Sequence, residues 1–367
     1  MNAGQTYRRR LEKLRKAMNA KNLRGIILVP GPNLRYYTGI DSMLLERPYL
    51  LFIPKDNIPR LIVPTLESGT FQESPIPVQI HSWTDSEGPA SAFEAAISQL
   101  GLTGVWGVEG RTPFSFLDQL MRFSKPQFQN VEESMQRIRE IKGEYEVKCL
   151  RHAASILSKS FMAIPSMLKP SLKETELAGK IAQTIQANGA DTVGEILVQA
   201  GKSSANPHHL ASSRKLRRYE SIVIDTTCTF EGYYADITRT FMIGNDDEFA
   251  DMYDKVLDAQ IAAIKQSTPG NETGAVDYAA RENLRRHGMD KYFIHRTGHG
   301  LGLEVHEAPY IIEKGMEILQ PQMAFTVEPG VYIPSKMGVR IEDNIIVTRR
   351  GSSVVTRMLP KEYGWWR

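Results

Sequence analysis

The chain has 367 residues, a formal net charge of +3, and 41% hydrophobic against 24% charged residues. This length favours two domains over one, and the small charge gives no reason to expect a nucleic-acid or membrane partner. Two cysteines are too few for a disulfide framework or a thiolate metal site. Because no apolar run could span a bilayer and no apolar signal segment follows the basic start, we expect a cytoplasmic protein.

The first third of the chain alternates helical and extended patterns. Apolar spacing predicts helices near residues 7–22, 33–37, 90–100 and 115–123, and strands at 25–29, 50–53, 61–63 and 105–108. Strands that alternate with helices predict an α/β domain with a mixed sheet. This part holds no cluster of titratable residues with metal-ligand or catalytic-triad spacing.

The pattern becomes helical from residue 131, with a break near Lys142-Gly143 and one long helix at 144–161. We therefore expect two domains, residues 1–134 and residues 135–367. Ser171 and Glu174 have the spacing of a capping box, which predicts a helix from there to residue 187. Beyond it the patterns predict helices at 248–265 and 276–287, and strands at 196–199, 221–228, 233–243, 324–328 and 338–348.

Two aspartates are expected to share one face of a β-hairpin. If the turn centres on Glu231-Gly232, Asp225 pairs with Thr238, and Asp236 lies diagonally across from Asp225. Diagonal neighbours are roughly 7–8 Å apart at the backbone, within reach of a shared ion. Facing carboxylates repel each other unless they share a proton or a cation. Taken alone, each aspartate is more simply explained as a turn or surface residue.

The stretch from His295 to Pro309, HRTGHGLGLEVHEAP, contains three of the eight histidines. Glycines alternate around His299, and glycine lets the backbone come close to a neighbour because it has no Cβ. The pattern indicates an imidazole at the mouth of a strand, although a glycine-rich turn with solvated histidines would give the same letters.

Two glutamates accompany apolar strands near the end of the chain. Glu328 closes the run at 324–327, and Glu342 lies in a run in which Arg340, Glu342 and Asn344 should face the same way. A surface Arg–Glu pair and a strand-end carboxylate explain each observation by itself.

Together, these four carboxylates and one imidazole beside apolar strands point to a cation site. Burying so many carboxylates without cations would be very costly. Oxygen-rich sites with a single imidazole suit Mn, Co, Fe or Zn. Four carboxylates exceed the need of one divalent ion, so two bridged ions fit better, and such sites activate water for hydrolysis.

The same residues resemble the pita-bread metallopeptidases, a family that includes methionine aminopeptidase, aminopeptidase P and prolidase. The segments YYADITRTF, GHGLGLEVHEAP, TVEPGVYIP and GVRIEDNIIVT are similar to the prolidase and aminopeptidase P branch. The resemblance implies an α/β (α+β) fold, with an N-terminal mixed-sheet creatinase-like domain and a C-terminal pita-bread domain. It also implies five metal ligands: Asp225, Asp236, His299, Glu328 and Glu342.

By this resemblance, Asp225 ligates one ion, Asp236 and Glu342 bridge both ions, and His299 and Glu328 hold the other. Two divalent ions are implied, with Mn favoured and Co, Zn or Fe as alternatives.

The resemblance implies further roles around the ligands. Glu328 would also act as general base or proton shuttle, and His208 would assist the transition state near the scissile bond. His306 would contact the substrate carbonyl or the proline side. Arg340 would meet a substrate carboxylate or orient the ligands, since a guanidinium forms a charge-assisted fork with a carboxylate. His295 is expected to be solvated or to support the ligands.

One residue departs from the family pattern, because Thr227 stands where a glycine is usual two positions after the first aspartate. A β-branched residue there would narrow the site, and this would affect which substrates and which metals the site accepts.

The resemblance implies an Xaa-Pro dipeptidase that acts on a small peptide and forms a homodimer. An Xaa-Pro aminopeptidase acting on longer peptides is the alternative. A binding module without catalysis and a hydrolase of non-peptide amides rank below both, because all five ligands are present.

Overall fold

The computed structural model describes residues 3–72 and 74–367. The chain divides into two compact units, Met1–Ile138 and Arg139–Arg367. In the described part of the chain, each helix is too short or too polar to cross a membrane.

The N-terminal unit is one six-stranded sheet with helices. Its strands are β1 (Gly25–Leu28), β2 (Leu50–Pro54), β3 (Arg60–Pro64), β4 (Gln79–Trp83), β5 (Val105–Val108) and β6 (Gln127–Asn130). Its helices are α1 (Ala3–Ala20), α2 (Pro32–Thr38), α3 (Thr65–Ser68), α4 (Ala90–Leu100), α5 (Phe114–Met121) and α6 (Glu132–Glu140, which ends beyond the unit), with a 3-10 turn at Gly69–Phe71.

The sheet has the order β4-β3-β2-β1-β5-β6 and mixes parallel and antiparallel pairs. The predicted mixed sheet is therefore confirmed. The central strands are apolar and buried, which is why their patterns are legible in the sequence. The two edge strands β4 and β6 escaped prediction because they are polar and largely exposed, as edge strands often are.

The C-terminal unit contains four helices and eleven short strands within its described residues. The helices are α7 (Glu144–Met167), α8 (Glu174–Ala187), α9 (Asp247–Gln266) and α10 (Thr273–Arg285), with 3-10 turns at Gly201–Ala205 and Asp290–Tyr292. The strands are β7 (Thr192–Val193), β8 (Leu197–Ala200), β9 (Ser221–Phe230), β10 (Tyr233–Met242), β11 (Gly298–Gly300), β12 (Glu307–Ile311), β13 (Ala324–Val327), β14 (Gly330–Ile333), β15 (Met337–Arg340), β16 (Asp343–Thr348) and β17 (Gly351–Val354).

These strands form two sheets and a ribbon. One sheet has the order β10-β9-β7, with β8 also paired to β9, and the other has the order β12-β11-β13-β16-β17. Strands β14 and β15 form a separate antiparallel ribbon. The candidate ligands lie on both sheets, so the site depends on how the sheets pack.

The hydrophobic core of this unit decides which way the acidic side chains point. Ile224 on β9 and Ile237 on β10 lie in the core with residues of α7 to α10. Because successive strand side chains point to opposite faces, the neighbours Asp225 and Asp236 point away from that core. Helix α7 packs against both strands and holds the apolar face in place.

Two local predictions are wrong. Residues 338–348 do not form one strand, because the chain leaves β15 after Arg340 and enters β16 at Asp343. The helix predicted from Ser171 begins instead at Glu174, and the Glu176 carboxylate accepts the backbone N–H of Lys173 at 3.0 Å. Ser171 itself has a φ of 70°, which is incompatible with the extended backbone of a helix cap.

Candidate active site

The β9–β10 hairpin brings two aspartates to one face. Its turn has positive φ at both central residues, 51° at Glu231 and 74° at Gly232, as the tight hairpin turn requires. This turn pairs Asp225 with Thr238, so the register predicted from sequence is confirmed. The two carboxyl groups are near enough for the charge of Asp225 to raise the pKa of Asp236.

His299 lies on β11, the strand between β12 and β13 in the sheet. Here the glycines provide space rather than unusual backbone angles. A Cβ on Gly298 would overlap the carbonyl oxygen of Thr326, and one on Gly300 would overlap that of Ala308. The close approach buries the His299 side chain, whose Nδ1 lies 3.1 Å from the carbonyl oxygen of Gly300.

Glu342 occupies the break between β15 and β16, which turns it toward the hairpin. Its backbone N–H donates to the carbonyl of Thr238 at 3.1 Å, and the Thr238 hydroxyl donates to Glu342 Oε2 at 2.7 Å. Asn344 reaches the same hairpin and bonds the backbone of Asp236 through both its amide atoms. Arg340 also points there, so the predicted common direction of these three side chains is confirmed although their strand is broken.

These elements place acidic oxygens around one imidazole nitrogen. His299 Nε2 lies 3.3 Å from Glu328 Oε1 and 3.8 Å from Asp236 Oδ2. One ligand atom each from Asp236, His299 and Glu342 can be chosen so that all three lie within 4.8 Å of one another. In addition, Asp236 Oδ1 and Glu342 Oε1 are buried without a hydrogen-bond donor. Buried carboxylate oxygens without donors, facing an imidazole, fit a divalent cation.

The pKa values of these carboxylates shift in different directions: burial and mutual repulsion raise those of Asp236 and Glu342, whereas His299 lowers that of Glu328. Burial raises the pKa of Asp236, and the neighbouring Glu342, Asp225 and Glu328 carboxylates raise it further. Burial and the Glu328 and Asp225 carboxylates likewise raise the pKa of Glu342. Burial also opposes ionisation of Glu328, but the hydrogen bond and charge of His299 outweigh it and lower the pKa to about 2. The protein alone thus favours a proton on part of this cluster, which a bound cation would displace.

Arg340 is fully engaged by residues of the site. Its Nη2 donates to Asp225 Oδ2 at 2.6 Å, its Nη1 to the Tyr332 hydroxyl at 2.7 Å, and its Nε to the Thr238 hydroxyl at 3.2 Å. The Tyr332 oxygen lies 2.9 Å from His295 Nε2, which extends the network by one residue. Sequence reasoning gave Tyr332 no role and placed Thr238 only as the strand partner of Asp225, because a tyrosine and a threonine in apolar strands carry no functional signal of their own.

His306 lies at the mouth of the site, and a buried ion cluster holds the segment that carries it. The His306 ring packs edge-on against His299, with 4.1 Å between centroids. The next residue, Glu307, pairs with Lys142 at 2.6 Å and with Arg139 at 3.4 Å. Partial burial, followed by the charges of His299 and Arg296, lowers the pKa of His306 to about 4. His306 is therefore a neutral hydrogen-bonding group at physiological pH.

A cavity of about 710 Å³ opens above the cluster. It is lined by all eight residues predicted for the site: His208, Asp225, Asp236, His299, His306, Glu328, Arg340 and Glu342. His208 is exposed on its wall, and Thr227 lines it beside Gly194. Arg296 also lines the cavity and was not predicted, because a single arginine has no distinctive pattern.

Comparisons of the whole chain identify its relatives. A model of metallopeptidase family M24 matches residues 148–349, and a model of the creatinase/prolidase N-terminal domain matches residues 10–141. A probable dipeptidase, PepE, from Mycobacterium tuberculosis is 34% identical over 353 residues, 95% of this chain and 94% of that protein.

Solved structures agree with the sequence matches. A prolidase from Thermococcus sibiricus has a TM-score of 0.90 at 34% identity and covers 95% of this chain and 96% of its own. An X-Pro aminopeptidase from Thermotoga maritima has a TM-score of 0.84 at 28% identity and covers 96% and 98%. The chain therefore belongs to metallopeptidase family M24, with a creatinase/prolidase N-terminal domain ahead of a pita-bread catalytic domain.

Proposed function

We propose that this metallopeptidase is an Xaa-Pro dipeptidase, which hydrolyses the bond between an N-terminal residue and a following proline. The observation that carries the proposal is the buried cluster of carboxylates around His299, with two oxygens lacking donors, at the base of a cavity. The solved prolidase that resembles this chain supports the choice of substrate. A dipeptide is also small enough for a cavity of about 710 Å³.

The proposal includes two divalent ions, with Mn as the preferred metal and Co, Zn or Fe as alternatives. Asp225 would hold one ion, His299 and Glu328 the other, and Asp236 and Glu342 both. The donor set of oxygens with one imidazole supports this metal class. When bound, the ions would supply an acidified water and polarise the scissile carbonyl.

Side chains of the protein would transfer the protons and orient the substrate and the metal ligands. The Glu328 carboxylate lines the cavity, where it can accept a proton from the attacking water and pass it to the departing proline nitrogen. Neutral His306 and exposed His208 line the cavity, where they can donate hydrogen bonds to the carbonyl as charge develops on it. Arg340 holds Asp225 in position, which favours the ligand-orienting role over a direct contact with substrate.

Three further proposals follow from the sequence, and the homodimer among them is implied by the family resemblance. We propose residues 1–134 and 135–367 as the functional domains, a homodimer as the assembly, and the cytoplasm as the location.

The test compares hydrolysis of Ala-Pro and Ala-Pro-Ala by the protein loaded with Mn²⁺, with Asp236→Ala as the control. We expect cleavage of the dipeptide and loss of activity in the variant. Cleavage mainly of the tripeptide would make the protein an Xaa-Pro aminopeptidase, as the similarity to the Thermotoga enzyme allows. If the loaded protein cuts neither peptide, the proposed function is wrong.

A further inference from the structure

The loop that carries His208 connects β8 to β9 and has little regular structure of its own. After the 3-10 turn at Gly201–Ala205, the described residues 206–220 belong to neither a helix nor a strand of a sheet. His208 is exposed on this loop and lines the cavity. A side chain that assists a transition state must be held within a fraction of an ångström of its working position. The loop therefore needs an anchor close to His208.

The side chain of Gln199 provides such an anchor. Gln199 lies on β8 and is 0% exposed, and its Nε2 donates to the carbonyl oxygens of Pro207 at 2.9 Å and of His209 at 3.0 Å. Because both carbonyls can only accept, the amide nitrogen rather than the amide oxygen must face them. The two carbonyls belong to the residues on either side of His208. One buried amide thus fixes the backbone before and after this histidine.

The same strand pair that holds a candidate metal ligand carries this amide. On the antiparallel pair of β8 and β9, Leu197 lies opposite Asp225 and Gln199 lies opposite Val223. Because alternate residues of a strand share a face, the amide points to the same side of the sheet as the Asp225 carboxylate. Val198, between them, points into the core. The sheet therefore sets the distance between the loop and the acidic cluster.

Other contacts fix the base of the loop. The Glu174 carboxylate is 0% exposed and accepts the N–H of Ala200 at 2.9 Å through Oε1, and the N–H of Ser212 at 3.0 Å through Oε2. The Ser204 hydroxyl accepts the N–H of Gly338 on β15 at 2.8 Å. These bonds hold the two ends of the loop, whereas the glutamine amide holds its middle.

Gln199 also carries a cost that stability alone does not explain. Its Oε1 is buried and has no hydrogen-bond donor among the described residues. A buried acceptor without a donor is destabilising, and a methionine of similar length would remove that cost. A residue that is less than optimal for stability is typical of a functional position.

We propose that Gln199 is a positioning residue, which holds His208 in place for the hydrolysis. This inference rests on the proposed function, because it assigns a support to a residue that acts in that reaction. Gln199 itself would touch neither the substrate nor the metal ions. Its effect on the reaction would pass through His208 alone.

The kinetic test compares Gln199→Met, His208→Ala and the double variant with Ala-Pro as substrate. We expect Gln199→Met to lower kcat by about 10-fold, with KM within about 3-fold and an unchanged midpoint of urea unfolding. The double variant should be no slower than His208→Ala, because Gln199 has nothing left to position. Gln260→Met is the matched control, since this second fully buried glutamine bonds Asp343 and Lys361 instead. Any loss that it causes should multiply with that of His208→Ala.

A second readout separates this inference from the proposed function, because it needs no turnover. The N–H groups of His208 and His209 donate to Asn206, at 3.3 Å to Oδ1 and 3.1 Å to the carbonyl oxygen. Amide hydrogen exchange measured by mass spectrometry should become about 10-fold faster at residues 206–210 in Gln199→Met and stay unchanged in β9. That result would support the anchor even if the protein proves inactive toward Xaa-Pro peptides. Unchanged exchange in the loop would overturn the inference, and so would kinetic losses that multiply in the double variant.

Discussion

Replacing Arg239 by methionine is expected to lower the free energy of unfolding by about 3–5 kcal/mol, the range for removing one partner of a buried ion pair. Arg239 is fully buried and pairs with Asp343 at 2.8 Å, a residue that is itself 1% exposed. Its N–H groups donate to oxygens of five residues: Thr238, Glu342, Asp343, Leu359 and Pro360. Through these hydrogen bonds the guanidinium connects β10 to the segment around Glu342.

The partners that Asp343 keeps in the variant determine where the loss of unfolding free energy falls within this range. In the variant, Asp343 keeps Lys361 at 3.0 Å and the amide of Gln260 at 2.8 Å, so its charge is not left entirely alone. Methionine fills much of the volume, which limits the cavity left behind. We therefore expect a loss of about 3 kcal/mol, of which most is the cost of a poorly compensated buried carboxylate.

The assay is urea unfolding of the full chain, with Arg239→Met, Asp343→Asn and the double variant compared in one cycle. Arg286→Met is the surface control, since this side chain is 71% exposed, and it should change stability by less than about 0.5 kcal/mol. The double variant lacks the buried carboxylate charge of Asp343 as well as Arg239. Its loss of stability should therefore be smaller than the sum of the losses in the two single variants. If Arg239→Met lies within about 1 kcal/mol of wild type, or if the losses simply add, the reasoning is refuted.

Three further predictions concern the site, the glycine stretch and the N-terminal unit. Arg340→Gln should weaken Mn²⁺ binding by about 10- to 100-fold in calorimetry, because Asp225 loses its orienting partner, and unchanged affinity would contradict this. Gly300→Ala should destabilise the protein by about 1–3 kcal/mol in urea unfolding, because its Cβ would meet backbone; Gly179→Ala, in open space on α8, should be neutral or stabilising. Burial raises the pKa of Glu109 from 4.5 to about 7, so the folded state takes up a proton that the unfolded state does not hold. Stability should therefore fall by about 3 kcal/mol as pH rises from 4.5 past 7, and Glu109→Gln should remove that part of the pH dependence; a wild-type-like profile in the variant would count against it.

Local patterns predicted much of the fold. The β9–β10 hairpin and its register were predictable because the Glu231-Gly232 turn and the alternation of the flanking strands are properties of neighbouring residues. The long helix α7 was predictable from its apolar stripe. Polar edge strands and the break at Glu342 were not, because tertiary packing outweighs the local preference there.

The residues of the candidate site were predictable from sequence, but the contacts between them were not. The acidic residues and His299 stand out in the sequence by type and context, and the family resemblance joined them into one ligand set. Arg340 also stands out, but its partner does not, because nothing local says that it reaches Asp225 rather than a substrate.

The sequence by itself therefore determined the elements, the hairpin register and the residue types that can bind a cation, since these follow from neighbours along the chain. Only the tertiary structure decided which of the distant residues meet. It set His299 beside Asp236, paired Arg340 with Asp225, and stacked Arg296 on the ring of Tyr310. Such contacts depend on how two sheets pack over a shared core, and that packing is a property of the whole unit rather than of any segment.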